Sequence, residues 1–291
     1  MCRFVAYLGK PIMADELLLK PVNSLVHQSY SAGEMPEILN GDGFGIGWYV
    51  HSISERPGLF RAITPAWSNQ NLHYNAPLIR TNCLFAHIRA ATEGGINEQN
   101  THPFHFERYL MMHNGSIPQF QRIRRKLLTL LDDEIFLWIK GQTDSEHVFA
   151  LLMQHILEMR GPGPGPRLTE DQIKQCFQKT FDVIQQLKIE AGIADGVSNF
   201  NLMVTNGRRM FGTRYSSNPE KETRTLYYST GAGFHCEGGV CRMLSNDAAV
   251  EAVLIASEKL NDDAEEWIPV PQNHFISVDR DLQVDLSPLL H

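Results

Sequence analysis

Apolar residues along the chain recur with two periods. Alternating or continuous apolar runs predict strands at Arg3–Leu8, Phe44–Val50, Cys83–Arg89, Tyr109–His113, Phe200–Thr205, Met210–Tyr215, Thr225–Ser229 and Val253–Ser257, with a last one near His274–Val278. Several carry apolar residues on both faces. Asn206-Gly207 separates two of the runs. That dipeptide is a strong hairpin signal, so at least this part of the sheet is antiparallel. Helical spacing appears three times. Pro118–Ile139 is apolar at Ile123, Leu127, Leu130, Leu131 and Ile135; Asp144–Arg160 at Val148, Leu151, Leu152, His155 and Ile156; Asp171–Glu190 at Ile173, Phe177, Phe181, Ile184 and Leu187. Each helix has one face to bury. Blocks of antiparallel strands followed by helices predict an α+β protein.

Between the last two helices lies Gly161-Pro162-Gly163-Pro164-Gly165-Pro166, which suits neither helix nor sheet. It joins two helices and precedes no self-contained motif, so it reads as a loop within one domain, residues 2–291. The stretch Asn40-Gly41-Asp42-Gly43-Phe44-Gly45-Ile46-Gly47-Trp48 invites a nucleotide-binding reading. It fails the G-x-G-x-x-G spacing and leads into a strand, so no helix N-terminus is available for phosphate. It is better explained as a turn whose bare backbone lets another segment approach closely.

Composition narrows the class. The 291 residues are 43% hydrophobic and 20% charged, as in an ordinary globular protein. No run of 18 apolar residues and no basic-then-apolar leader is present, which predicts a cytoplasmic protein without a membrane association. A net charge of −7 with no Lys/Arg stripe argues against nucleic acid. The five cysteines (Cys2, Cys83, Cys176, Cys236, Cys241) are odd in number and scattered, which predicts free thiols rather than disulfides.

Cys2 changes the picture. Taken alone, it is a small buried residue of the first strand. With Met1 removed, it would instead present a thiol and a free α-amine on one residue. The thiol must lose a proton to attack, and an α-amine with a pKa of roughly 7.7–8.0 is well matched to take it at neutral pH. One residue then supplies nucleophile and base.

Three further motifs follow: His87-Ile88-Arg89-Ala90-Ala91-Thr92-Glu93-Gly94, His113-Asn114-Gly115-Ser116 and Thr143-Asp144-Ser145-Glu146. Singly, each has a local explanation. Arg89 could pair with a surface carboxylate, Asn114-Gly115 suits a tight turn, and Thr143 with Glu146 forms a capping box.

In this order, after an N-terminal cysteine, they resemble the class II glutamine amidotransferases, which liberate ammonia from glutamine. Trp267-Ile268-Pro269-Val270-Pro271 before a strand is similar to the closing segment of small stand-alone members. The resemblance implies a four-layer α/β/β/α N-terminal-nucleophile sandwich with two mostly antiparallel sheets. It implies Cys2 as nucleophile, with its own amine as base acting through a water. Arg89 would grip the substrate α-carboxylate, with help from Thr92, and Asp144 at the start of a helix would hold the α-ammonium. The Asn114 side-chain amide and the Gly115 backbone N–H would form the oxyanion hole.

The implied reaction is attack on a γ-glutamyl amide, loss of an amine, and hydrolysis of the γ-glutamyl thioester to glutamate. No cofactor and no metal enter it. The expected partners are glutamine or another γ-glutamyl compound and a synthetase subunit that accepts ammonia, because the chain is too short to hold a full synthetase as well. The alternative is a hydrolase of a glutathione- or ergothioneine-pathway-like γ-glutamyl amide. From a different class, a non-catalytic binding or regulatory module would keep the fold without turnover. Metal sites at His102, His105 and His113, or at His235, Cys236 and Cys241, lack a convincing four-ligand spacing.

Overall fold

The computed structural model describes residues 2–31, 33, 39–91, 94–163, 167–245, 249–263 and 265–289. In chain order the strands are β1 (Arg3–Met13), β2 (Phe44–Trp48), β3 (Gly58–Ala62), β4 (Arg80–Ile88), β5 (Phe104–Phe106), β6 (Tyr109–Ser116), β7 (Asn199–Thr205), β8 (Met210–Ser216), β9 (Tyr227–Gly231), β10 (Gly233–Glu237), β11 (Val240–Leu244), β12 (Ala252–Ala256), β13 (Ile268–Pro269), β14 (His274–Val278) and β15 (Val284–Pro288). The α-helices are α1 (Asp15–Leu18), α2 (Leu25–Gln28), α3 (Gln70–Asn75), α4 (Gln121–Leu128), α5 (Asp133–Trp138), α6 (Asp144–Arg160) and α7 (Glu170–Glu190).

Two antiparallel sheets face one another. The first has the order β13-β9-β12-β1-β4-β2-β3 and the second β15-β14-β8-β7-β6-β5. Side-chain parity divides each strand between two cores, because successive residues of a strand point to opposite faces. On β1, Phe4, Ala6 and Leu8 join Cys83 and Phe85 of β4, Leu110 and Met112 of β6, and Ile276 and Val278 of β14 between the sheets. Val5 and Tyr7 point the other way, with Leu84, Ala86 and Ile88, and are covered by Leu17, Leu18, Leu25 and Val26. On the far side of the second sheet, Met111, Phe200, Leu202 and Val204 pack against α4, α6 and α7 through Ile123, Phe149, Phe177 and Phe181. The result is four layers, helix on sheet on sheet on helix. Apolar runs on both strand faces are a consequence of this double coverage.

The structure corrects three expectations. The helix predicted over Pro118–Ile139 is two helices, α4 and α5. Between them the Asp132 backbone N–H donates to Gln154 Oε1 (3.0 Å) and Gln154 Nε2 donates to the Asp132 carboxylate (2.9 Å). This grip from α6 turns the chain, leaves Leu130 exposed, and lets Leu127 and Ile135 enter the same core.

The second correction concerns the cysteines. Cys2, Cys83 and Cys176 are free, but Cys236 and Cys241 are joined in a disulfide. They sit directly opposite one another in a two-stranded sheet, β10 with β11, which the sequence reading missed. Gly238 and Gly239, both at positive φ, close its turn, and cross-strand neighbours are brought within bonding reach. This also removes the His235, Cys236, Cys241 metal reading.

The third is a half-formed cap. Thr143 accepts from the Glu146 N–H (3.2 Å), while the Glu146 carboxylate turns to the N–H groups of Lys140 (2.9 Å) and Gly141 (2.7 Å). The reciprocal capping box occurs instead on α7, between Thr169 and Gln172.

The glycine-rich turn behaves as a close-approach element. Gly43 lies at φ +115° and a side chain at Gly45 would run into the His102 carbonyl. Of the Gly161–Pro166 loop, residues 164–166 lie outside the described residues. Among the described residues no helix is long and apolar enough to cross a membrane.

Candidate active site

The pleat carries the site. Cys2 has the parity of Phe4, Ala6 and Leu8, and Arg89 that of Cys83 and Phe85, so both continue the inward-facing row of the first sheet. Arg3 pairs with Ile88 in the β1–β4 register, which sets Cys2 opposite Arg89. The Cys2 thiol lies 3.5 Å from the Ala90 carbonyl. Across the gap, Asn114 has the parity of Leu110 and Met112 and faces inward from β6.

Hydrogen bonds fix the strand ends around the site. His87 Nε2 donates to the His113 carbonyl (3.2 Å), tying β4 to β6 just before Arg89 and Asn114. Thr225 Oγ1 donates to the Ser257 carbonyl (2.8 Å), and Ser257 exchanges hydrogen bonds with the Phe4 backbone (both 3.1 Å).

Asn114 is fully buried and oriented. Its Oδ1 accepts from Arg224 Nη1 at 3.0 Å. A guanidinium only donates, so the oxygen must face Arg224 and the amide nitrogen must face away. That nitrogen, Asn114 Nδ2, is buried with no hydrogen-bond partner. An unmet buried donor costs free energy unless something accepts from it.

Arg224 is itself fixed by polar residues on the inward face of the second sheet. Asn201, opposite Asn114 in the register, donates to the carbonyls of Arg224 (3.1 Å) and Thr225 (3.0 Å). Arg214, opposite Asn201, donates from Nε to the Arg224 carbonyl (2.9 Å) and from Nη1 to that of Val270 (2.8 Å).

Gly115 points toward the helices, where a Cβ would collide with the Asn199 carbonyl and His113 Nε2. His113 stands there with Nδ1 at 2.9 Å from Ser145 Oγ and Nε2 at 3.0 Å from the Asn199 carbonyl. Because a carbonyl only accepts, the proton is on Nε2. Burial holds His113 below the usual histidine range against the opposing Asp144 charge, and pushes His87 down to about 3. His102, its ring centroid 4.1 Å from that of His87, is likewise held well below the usual range by burial. These rings are neutral structural pieces.

Asp144 opens α6 and reaches the end of β6. Its Oδ2 accepts from the Ile117 N–H (2.8 Å) and its Oδ1 from the Ser145 N–H (2.8 Å). Arg89 is buried, with Nη1 and Nη2 donating long bonds to the carbonyls of Gly95 (3.3 Å) and Gly94 (3.5 Å). Burial pushes its guanidinium down, and the nearby Cys2 and Asp42 groups act the other way. Asp42 in turn accepts from the Ala91 N–H (2.8 Å), fixing the backbone beyond β4.

Cys2 and Arg89 on the first sheet and Asn114 on the second thus lie at the same end of the sandwich on its inner faces, with Gly115 and Asp144 on its helical rim. Thr92 and Met1 lie outside the described residues.

Sequence reading missed several residues around this site. Arg3 is fully buried, its Nε paired with the Glu258 carboxylate and its Nη1 donating to the Cys2 carbonyl (2.9 Å). Glu258 also accepts from the Gly33 N–H (3.1 Å). The buried pair thereby holds a guanidinium donor against the backbone of Cys2. Asn201 and Arg214 were signalled by polar residues interrupting apolar strands, whereas nothing in the local pattern pointed to Arg224.

The sequence matches the profile of the family described as "Glutamine amidotransferases class-II" over residues 22–285. The Saccharomyces cerevisiae protein named "Probable glutamine amidotransferase DUG3" is 34% identical over 294 residues, spanning 96% of this chain and 82% of that protein. A Mycobacterium tuberculosis protein named "Gamma-glutamyl-hercynylcysteine sulfoxide hydrolase" is 25% identical over 280 residues, 96% of this chain and 93% of that one. Among solved structures, a glutamine aminotransferase class-II domain protein from Silicibacter pomeroyi superposes with a TM-score of 0.66 at 20% identity. It covers 99% of this chain and all of that one, and shares the fold. The chain belongs to the class II glutamine amidotransferases, enzymes of the N-terminal-nucleophile type with two facing antiparallel sheets.

Proposed function

We propose that the chain, acting as one domain over residues 2–291, hydrolyses a γ-glutamyl amide with Cys2 as nucleophile. Removal of Met1 frees the α-amine, which takes the thiol proton through a water. The thiolate attacks the γ-carbonyl carbon and the carbonyl electron pair moves onto oxygen. Asn114 Nδ2 and the Gly115 N–H donate to that oxyanion. The intermediate collapses, the C–N bond breaks, and the ammonium of Cys2 returns the proton to the departing amine. Water then cleaves the γ-glutamyl thioester and releases glutamate.

Arg89 receives the substrate α-carboxylate by a two-bonded fork, Thr92 assists it, and Asp144 receives the α-ammonium. The observation that carries this reading is the buried, unmet Asn114 Nδ2, held in one orientation by Arg224. A donor placed beforehand where charge develops needs no reorganisation during the reaction.

Because Arg89 and Asp144 read only the amino-acid end, the departing amine is unspecified by them. Glutamine is the first substrate, and its ammonia would pass to a synthetase subunit in the cytoplasm. The hydrolase named for a relative that matches nearly all of this chain supports a second case, a γ-glutamyl amide with a larger amine.

The test is intact mass of the purified chain before and after the glutamine analogue 6-diazo-5-oxo-norleucine, with peptide mapping. The expected result is a chain beginning at Cys2 that carries a single adduct on that thiol. A chain beginning at Cys2 that stays unmodified, and hydrolyses neither glutamine nor γ-glutamyl peptides, would refute the proposal.

A further inference from the structure

At the end of the sandwich away from Cys2, five separate segments send arginines into one cavity of about 290 Å³. Arg108 comes from the β5–β6 turn, Arg160 from the last residue of α6, and Arg167 from the approach to α7. Arg208 and Arg209 come from the β7–β8 turn, and Arg280 from the β14–β15 turn. Asp144 and Arg160 mark the two ends of α6. At 1.5 Å per residue this sets the cavity about 24 Å from the Asp144 end of the candidate active site.

The charges are far from balanced. Glu55 pairs with Arg208 (2.5 Å) and Glu170 with Arg209 (2.8 Å). Arg209 is further held by the Leu168 carbonyl (2.9 Å) and lies 5.0 Å over the Phe211 ring. Arg108, Arg160, Arg167 and Arg280 form no ion pair among the described residues, and Arg160 Nε is buried with no hydrogen-bond partner. Six arginines therefore line the cavity against one lining carboxylate, Glu55, with Glu170 paired to Arg209 beside it, in a chain whose net charge is −7. Like charges confined together repel, and that repulsion is relieved when an anion enters.

We infer that this cavity is a binding site for a small polyanion bearing two or three phosphoryl or carboxyl groups. The lining supplies arginines and no lysine, and the planar guanidinium fork matches the paired oxygens of phosphate and carboxylate. The cavity volume suits a compact ion, and the surplus of cations over carboxylates calls for more than one negative charge. The inference does not depend on the assignment of Cys2, because no residue is shared between the two sites.

The test is isothermal titration of the full chain with inorganic tripolyphosphate and with citrate at low ionic strength, repeated at about 0.15 M salt. Saturable one-to-one binding is expected, weaker at the higher salt. Affinity should fall by about tenfold or more in Arg160→Gln/Arg280→Gln. Preference for tripolyphosphate assigns a phosphorylated ligand, and preference for citrate a polycarboxylate. Hydrolysis at Cys2 in that variant should match the parent. Arg280→Gln alone, at an exposed position, provides the same readout should the double variant fail to fold. Absence of saturable binding of both ions, or unchanged affinity in the folded variants, would overturn the inference. Binding of long poly-glutamate without binding of either small ion would also overturn it, in favour of an acidic protein segment.

Discussion

Replacing Asn114 with aspartate exchanges one donor group for an oxygen and leaves the shape of the side chain almost unchanged. The bond from Arg224 Nη1 to Oδ1, 3.0 Å in the native protein, is retained and becomes an ion pair. What disappears is the buried, unmet Nδ2 donor. Loss of one oxyanion-hole donor costs about 10²–10³ in rate, or about 2.7–4 kcal/mol of transition-state stabilisation. The new carboxylate also repels the developing oxyanion, so the loss should fall at the upper end of that range. KM should change little, because the proposed contacts to the amino-acid end, Arg89 and Asp144, are untouched. The assay is release of glutamate from glutamine, or of p-nitroaniline from its γ-glutamyl anilide, alongside melting temperature and near-ultraviolet circular dichroism. Asn114→Ala is the companion variant, since it removes the same donor without adding a charge. A folded Asn114→Asp protein with kcat within about threefold of the parent would refute the assignment of Asn114 to the oxyanion hole.

Arg89→Lys should act mainly on KM, since a lysine keeps the charge but loses the fork. The loss of a two-bonded charged contact, about 1.5–3 kcal/mol, corresponds to about a 10- to 150-fold increase for glutamine, and an unchanged KM would make Arg89 structural. Acid should destabilise the fold through its buried histidines. His87 is pushed down to about 3, and His147 and His155 each to about 4, in every case chiefly by burial. With an unfolded value of about 6.5, the unfolded chain binds more protons below that pH. Stability is therefore full above pH 6.5 and lost as pH falls toward the folded values, by about 1.4 kcal/mol per pH unit for His87 and His147 and by less for the partly solvated His155. Urea midpoints at several pH values between neutrality and pH 5 check this, and a constant midpoint would contradict it.

The longer strands and one antiparallel hairpin were legible because apolar alternation and the Asn206-Gly207 turn are local properties, while the arrangement in two facing sheets was implied by the family resemblance. Residues such as Phe200–Thr205 and Met210–Tyr215 carry their pairing signal within a dozen positions. The family motifs were legible for a similar reason: Arg89, Asn114 and Asp144 each sit at the end of a strand or the start of a helix that its neighbours predict. The break between α4 and α5 was not, because the periodicity of Ile123, Leu127, Leu131 and Ile135 suits one long helix. The grip of Gln154 on Asp132 comes from a helix more than twenty residues away.

The sequence by itself determined nine of the strands, the longer helical segments and the family motifs that fall at their ends, which follow from periodicity and backbone preference over short spans, whereas the short β3, β5, β10, β11, β13 and β15 carry too few residues to show a period. Only the tertiary structure decided how the ends of those strands are held against one another. Arg224 orients Asn114 from 110 positions away, and Arg3 and Glu258 grip the Cys2 backbone across 255. The disulfide between Cys236 and Cys241 and the gathering of six arginines from five segments were likewise decided by packing. The physical reason is common to all of them. A directional contact between distant residues takes effect only once the hydrophobic layers have fixed both partners, and no local pattern records which partner that will be.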